Sequence, residues 1–415
     1  MALEAGMTFG WKRAILGMAV TAFVCSLGTR SIAGSPAGAP PPGVRAEAFA
    51  EAGLRAEALA EARQGAQEPS PPMAETVFKN IQVLKGIPAD EFMDTMGMFA
   101  SSLLFDCTGC HVEEILTRRE AFAVSTPRIQ RARQMVVMMN TINRNFFAGQ
   151  PRVTCFTCHR GADTPEVVPD LALQYGDVAD ENPNAMRIFP DARLSADKIF
   201  GRYIQALGGR DRVSTLTSFV ATGSYAGFNT GDQKVAIEIY ARAPDQRSQV
   251  VRTFEGDAIR TYDGRNAWAA EGWRQIPLMT FTGGNLTGAR FEALMSFPAG
   301  IQKAYGQWQA TLATIDGRNI QLLQGSNPGE LPVNLYFDEE SGLLVRTVRW
   351  SKTSVGTIPT QTDYADYREV AGVRMPFHMF VTWTNGQNTI DLTEVRPNVA
   401  IDGARFARPA PFKGR

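Results

Sequence analysis

The chain has 415 residues, and 42 Lys+Arg balance 42 Asp+Glu to a formal net charge of zero. Hydrophobic residues make up 44% and charged residues 20%, an ordinary globular composition that excludes wholesale disorder and collagen-like structure. Zero net charge removes any general electrostatic attraction to polyanions, so no nucleic-acid partner is expected.

The first segment reads as an export signal over residues 1–33. Lys12 and Arg13 form a basic start, and Ala14 to Gly28 is an apolar run. Ser31-Ile32-Ala33 places small residues where a signal peptidase reads, so cleavage is expected after Ala33. The run is short for a membrane-spanning helix, which needs about 20 residues. An uncleaved membrane anchor is the alternative. Cys25 lies inside the run, and Val24 before it is not the small residue of a lipoprotein signal. Residues 34–72 are dominated by Ala, Pro, Glu and Gly, with too few large apolar residues to hold a core, and read as a disordered tether.

Residues 73–170 read as a small all-α domain. Val77, Ile81 and Leu84 give Glu75 to Leu84 helical apolar spacing. Pro88 and Asp90 open a second helix, Ala89 to Leu104, with Phe92, Met96, Phe99 and Leu103 on one face. Cys107-Thr108-Gly109-Cys110-His111 follows directly. Pro127 opens a third helix, Arg128 to Phe147, and after a loop comes Cys155-Phe156-Thr157-Cys158-His159. The unit is thus used twice: a Met-bearing helix, a loop, and C-x-x-C-H.

The chemistry that needs this spacing is covalent haem attachment. Two cysteines separated by two residues reach both vinyl groups on one macrocycle edge, and the adjacent His is held under the iron as its proximal ligand. The pattern therefore points to two haem c groups, on Cys107/Cys110 and Cys155/Cys158, with His111 and His159 on the irons. A zinc ribbon and a redox dithiol are the competing readings; an exported chain with a His after each pair favours haem. Of 3 His in the chain, only His378 lies outside the motifs, so both haems cannot be bis-His. Met is the remaining common sixth ligand. The helices before the motifs offer Met93, Met96 and Met98, then Met135, Met138 and Met139. Most of these six fill core gaps.

The strings VFKNIQVLKGIPADEFMDTM, CTGCH, ARQMVVMMNTIN and VTCFTCHRG, between about Val77 and Gly161, resemble the cytochrome c subunit of photosynthetic reaction centres. The resemblance implies electron transfer in a photosynthetic setting by an all-α haem domain in which a Met upstream of each motif ligates the iron. It assigns Met96 to the haem of His111 and Met135 to that of His159. Helix geometry agrees, since Met98 is rotated about 200° from Met96; Met93 and Met138 are the nearer competitors. The sequence departs from the family in having two haem motifs where the family has four, and no His between Met135 and Cys155. The chain reads as a dihaem relative.

Residues 171–194 read as a linker. Within 195–415, Ser195 to Leu207 is a helix, and the pattern then changes to period two. Twelve candidate stretches, from Thr217–Tyr225 to Thr389–Val395, are separated by turn signals such as Asp263-Gly264, Asp316-Gly317, Ser341-Gly342 and Asn385-Gly386. They predict a curved antiparallel sheet of about ten strands interrupted by one helix, Ala289 to Ser296. The layout weakly resembles the open half-barrel of periplasmic lipoprotein carriers. The expected fold is therefore α+β and multidomain, a dihaem domain followed by an antiparallel sheet. His378 falls on a strand and reads as a solvated or hydrogen-bonded side chain. The expected function is electron transfer outside the cytoplasm, with redox proteins in the periplasm or in a membrane complex as partners. A haem enzyme, such as a peroxidase or oxidase subunit, and a carrier of apolar ligands or lipoproteins are the alternatives.

Overall fold

The computed structural model describes residues 70–168, 185–272 and 276–413. The expected export signal at 1–33, most of the tether at 34–72 and most of the linker at 171–194 lie outside the described residues. From Ser70 onward the chain forms one compact unit. It comprises a few helices followed by an open antiparallel sheet, the expected α+β class.

The helical part contains α1 (Ala74–Val77), α2 (Ala89–Leu103), α3 (Pro127–Phe146) and α4 (Cys155–His159). The expected helix over Glu75 to Leu84 is not formed beyond the single turn of α1. Asn80 (φ 62°) and Leu84 (φ 60°) sit in the left-handed region, which no α-helix passes through. The cause is closure. Met73 bridges Pro88, Ala74 N–H donates to the Ile87 carbonyl at 2.9 Å, and both Glu75 carboxylate oxygens accept from Gly86 N–H. A straight helix would hold these ends apart. α2 and α3 fall where expected. Thr126 caps α3, with Pro127 at its first position.

After α5 (Ala196–Ala206) and α6 (Arg210–Ser214) the chain enters the sheet. Its strands are β1 (Ser218–Gly227), β2 (Val235–Arg242), β3 (Gln246–Thr253), β4 (Gly256–Tyr262), β5 (Ala267–Ala270) and β6 (Met279–Thr280). After α7 (Gly283–Met295) come β7 (Gln307–Ile315), β8 (Arg318–Ser326), β9 (Val333–Asp338) and β10 (Leu344–Thr353). β11 (Gly356–Val370), β12 (Val373–Trp383) and β13 (Gly386–Pro397) complete it.

The 13 strands are ordered β6-β5-β4-β3-β2-β1-β13-β12-β11-β10-β9-β8-β7. The sheet is a meander cut once. β1 pairs with β13, and α7 carries the chain from one edge to the other. Each of the twelve candidate stretches contains a strand; two-residue β6 was not foreseen. α7 begins six residues before the expected helix at Ala289. Gly283, Gly284 and Gly288 look like loop chemistry in the sequence, but a Cβ at Gly284 would lie 2.5 Å from Ser351, and one at Gly288 would strike the Arg349 guanidinium. These glycines let the helix lie close to the sheet.

α5 buries Ile199, Phe200 and Tyr203, with Leu207, against Leu323, Leu335 and Phe337 of β8 and β9. A second cluster joins Ile237, Ile239, Val251, Phe377, Ile390 and Phe297. Each large apolar side chain so buried contributes about 1.5–3 kcal/mol.

Candidate metal centre

The two C-x-x-C-H motifs are each folded into a tight turn. In the first, α2 ends at Leu104, which takes the left-handed conformation (φ 52°). Asp106 then caps a short 3-10 turn, Cys107–Gly109, accepting from Gly109 N–H at 3.0 Å and from the Thr108 hydroxyl at 2.6 Å. The Thr108 bond holds the Asp106 carboxyl below its usual range. His111 N–H donates to the Cys107 carbonyl at 2.9 Å, which sets the imidazole one turn beyond the first cysteine. In the second motif, Thr154 and Thr157 form a reciprocal capping box, and α4 carries Cys155, Cys158 and His159 on one helical turn. Arg160 (φ 52°) and Gly161 (φ 88°) end it; only glycine adopts the latter without strain.

Each motif is held by the Met-bearing helix of the other unit. The Thr126 hydroxyl at the start of α3 donates to the Cys110 carbonyl at 2.6 Å, and Arg128 donates to the Gly109 carbonyl at 2.9 Å while lying over the Phe105 ring. Reciprocally, Gly161 N–H donates to the Ser102 carbonyl of α2 at 2.9 Å. The sequence shows the repeat but not this exchange, because the partners are not neighbours in the chain.

The donor set fits the thioether-linked group that the motifs imply. None of Cys107, Cys110, Cys155 and Cys158 is in a disulfide. Burial raises the pKa of Cys107 and Cys110 and pushes Cys155 up to about 11, so these side chains are protonated at neutral pH. His159 Nδ1 lies 3.0 Å from the Ala162 carbonyl. A carbonyl only accepts, so Nδ1 carries the proton, which leaves Nε2 as the nitrogen through which this imidazole could ligate. His111 packs its ring against Phe122 at 5.0 Å, and its Nδ1 is buried without a hydrogen bond. Burial lowers the His111 pKa, against an opposing pull from the Phe122 carbonyl, which favours the neutral ligating form. Apolar side chains next to the motifs are uncovered: Leu104 is 76% exposed, and Leu116, Phe146 and Phe156 are exposed as well. A macrocycle would cover such surface. Among the described residues no three His, Cys, Asp or Glu side chains converge as a ligand set, so the four thiols do not form a zinc-ribbon site.

The six methionines divide by packing. Met98 and Met139 are buried in a cluster with Val136, Val355 and Ile358. Met93, Met96 and Met135 are half-buried, and Met138 is exposed. On α2, Asp90, Asp94, Gly97 and Met98 share the face turned to the sheet. Asp90 accepts from Thr282 N–H (2.6 Å) and hydroxyl (2.8 Å), Asn285 donates to Asp94 at 2.9 Å, and a Cβ on Gly97 would sit 2.7 Å from the Thr384 hydroxyl. Met96 lies about 200° from both Asp94 and Met98, on the opposite face. His378 pairs instead with Asp391 across β12 and β13, Nδ1 to Oδ1 at 2.7 Å, as the hydrogen-bonded sheet histidine expected.

All of these motif and methionine residues fall within one matched segment. Residues 41–185 match the photosynthetic reaction centre cytochrome C subunit family. The match extends the resemblance carried by the residues from Val77 to Gly161. Among solved structures, the chain is similar to a LolA superfamily protein from Nitrosomonas europaea, at 11% identity and a TM-score of 0.35, over 52% of this chain and 98% of that one. It is also similar to a DUF1329 family protein from Desulfovibrio piger, at 10% identity and a TM-score of 0.36, over 51% of this chain and 96% of that one.

Proposed function

We propose that the chain is an electron carrier with two covalently attached c-type haems. Cys107 and Cys110 would hold one, and Cys155 and Cys158 the other. His111 and His159 would be the proximal ligands, with Met96 and Met135 on the opposite faces. When bound, haem supplies reversible one-electron chemistry at its iron, and Met ligation raises its potential relative to bis-His.

The residues around each site serve that role by holding still. Thr126 and Arg128 fix the backbone of the first motif, and Ser102 and the Thr154–Thr157 box fix the second. Ala162 fixes the tautomer of His159. Phe122 shields His111 from water on one side. The single observation that carries the reading is the pair of C-x-x-C-H turns, each setting a histidine directly after two cysteines, inside a segment that matches a cytochrome family.

The reading includes the division into a haem segment at 73–170, a linker at 171–194 and a sheet domain at 195–415, with export by residues 1–33 and action in the periplasm, beside or on the membrane. Its partners would be redox proteins there. A haem enzyme would need an open iron position, and half-buried methionines on both helices argue for a closed one.

The test is expression of the full chain in a host that matures c-type cytochromes. Haem stain should survive denaturation, and the mass should rise by two haems; replacing Cys107 and Cys110 with Ser should remove one of the two. Zinc in the purified protein with no bound haem would refute the proposal.

A further inference from the structure

Charge is balanced over the whole chain but not within the helical segment. Between Pro127 and Ala162 the sequence holds six arginines and no Asp, Glu or Lys. Around the first motif, Asp106, Glu113, Glu114 and Glu120 outnumber Arg118 and Arg119. Two of the six arginines are already engaged. Arg128 lies 3.9 Å from Asp163 and donates to the Gly109 carbonyl, and Arg133 donates to the Asn80 carbonyl at 2.8 Å. Arg131, Arg144, Arg152 and Arg160 are exposed and have no carboxylate partner among the described residues. The two propionates of one haem are fewer than these four guanidiniums, so positive charge remains when the second motif is loaded.

The free arginines frame one face of α3. This helix buries Val136, Met139 and Asn143 against the rest of the segment. Its other side presents Arg131, Gln134, Val137, Met138, Thr141 and Arg144 as one exposed stripe, with Val137 56% and Met138 46% exposed at its centre. Arg152 joins the Arg144 end, because its N–H donates to the Asn143 side chain at 3.1 Å. Beside the centre, Gln82, Val83, Arg133, Gln134 and Val137 line a shallow groove of about 290 Å³. An apolar centre, an arginine rim and the absence of Lys, Glu and Asp is the composition of a protein interface. Half-buried Met135 stands one turn before Met138, on the flank of this face.

We propose that the exposed face of α3 docks a redox protein with an acidic surface. The proposal rests on the haem reading above and names the kind of partner the second haem serves. Carboxylates of the partner pair with the free guanidiniums, Val137 and Met138 form the dry centre, and docking brings the partner against the helix that ligates the second iron. A second copy related by a two-fold axis would set this arginine-rich face against itself, which is repulsive. An anionic membrane calls for apolar side chains that insert, and between the arginines this face offers only Val137 and Met138, with no aromatic residue or Leu.

The experiment is calorimetric titration of the haem-loaded full chain with an acidic flavodoxin, at about 10 mM and about 200 mM salt, which bracket the onset of strong screening. Binding should be seen at low salt and should weaken about tenfold or more at high salt. Arg131→Gln combined with Arg144→Gln should weaken low-salt binding by a similar factor with the haem spectrum unchanged, and Lys at both positions should restore most of it. A chain that takes up no haem sinks the haem reading and this proposal with it; a loaded chain that does not bind flavodoxin at low salt sinks this proposal alone. Unchanged binding by the double Gln variant would also overturn it. So would binding to phosphatidylglycerol vesicles, or self-association in sedimentation, that the same variant abolishes, since either would give the face to a membrane or to a second copy.

Discussion

Met96 and Met98 stand two positions apart on α2, and their surroundings differ in kind. Met98 is 5% exposed and packed among Val136, Met139, Val355 and Ile358. Its sulfur and methyl are committed to that core. Met96 is half-buried on the face turned away from the sheet, about 200° around the helix. Met98→Ala should therefore destabilise the fold by about 2–5 kcal/mol, read by denaturant unfolding, and leave the haem spectrum unchanged. Met96→Ala should leave stability nearly untouched and haem attached, while opening one iron to carbon monoxide and lowering one midpoint potential. If the Met96 variant keeps both native Met–iron absorption signals, Met93 becomes the first alternative. The cysteines, the histidines and the candidate methionines were legible in the sequence because their spacing is local. What the sequence could not separate was ligand from core filler among six methionines, since that depends on which face of each helix meets Val355 and Ile358, more than 200 residues downstream.

At the scale of elements, α2 is fixed at its start by a contact that no local pattern announces. Asp90 is 2% exposed, yet it does not cap its own helix; both carboxylate oxygens are taken by Thr282 and, at 3.4 Å, by Asn285 at the start of α7. Glu91 accepts from the Ser354 hydroxyl at 2.6 Å. Asp90→Ala would leave the half-buried Thr282 N–H and hydroxyl without their acceptor, at about 1 kcal/mol or more. The measurable outcome is a lower melting temperature and faster amide exchange in the first turns of both α2 and α7; protection lost in α2 alone would contradict the shared contact. In the sequence, Asp90 after Pro88 reads only as a helix-start residue. The strands were far more legible, because alternation and Asx-Gly turns are short-range signals. The misread helix over Glu75 to Leu84 marks the limit of periodicity: Val77, Ile81 and Leu84 have helical spacing, but the bridge between Met73 and Pro88 requires the chain to turn back at Asn80 and Leu84.

For the molecule as a whole, the change from helical to strand pattern in the sequence marks a change of architecture inside one compact unit from Ser70 onward. The helical segment has little core of its own. Its buried cluster, Met98, Val136 and Met139, is completed by Val355 and Ile358 from the β10–β11 hairpin. Gly356, at φ 154°, has no room for a side chain, because a Cβ would meet the Met98 methyl. Arg119 donates to the Gly272 carbonyl, and the Thr384–Asn385 turn between β12 and β13 rests on Gly97. Losing this surface would expose apolar side chains at roughly 25 cal/mol per Å² with no partner to replace them. Residues 70–168 expressed alone are therefore expected to show low helicity and no cooperative melting, while the full chain should unfold in a single calorimetric transition whose van't Hoff and calorimetric enthalpies agree. Two resolved transitions, one of which persists at the same temperature in residues 70–168 alone, would show that the helical segment folds independently and that its contacts with β10, β11 and α7 contribute nothing to its stability.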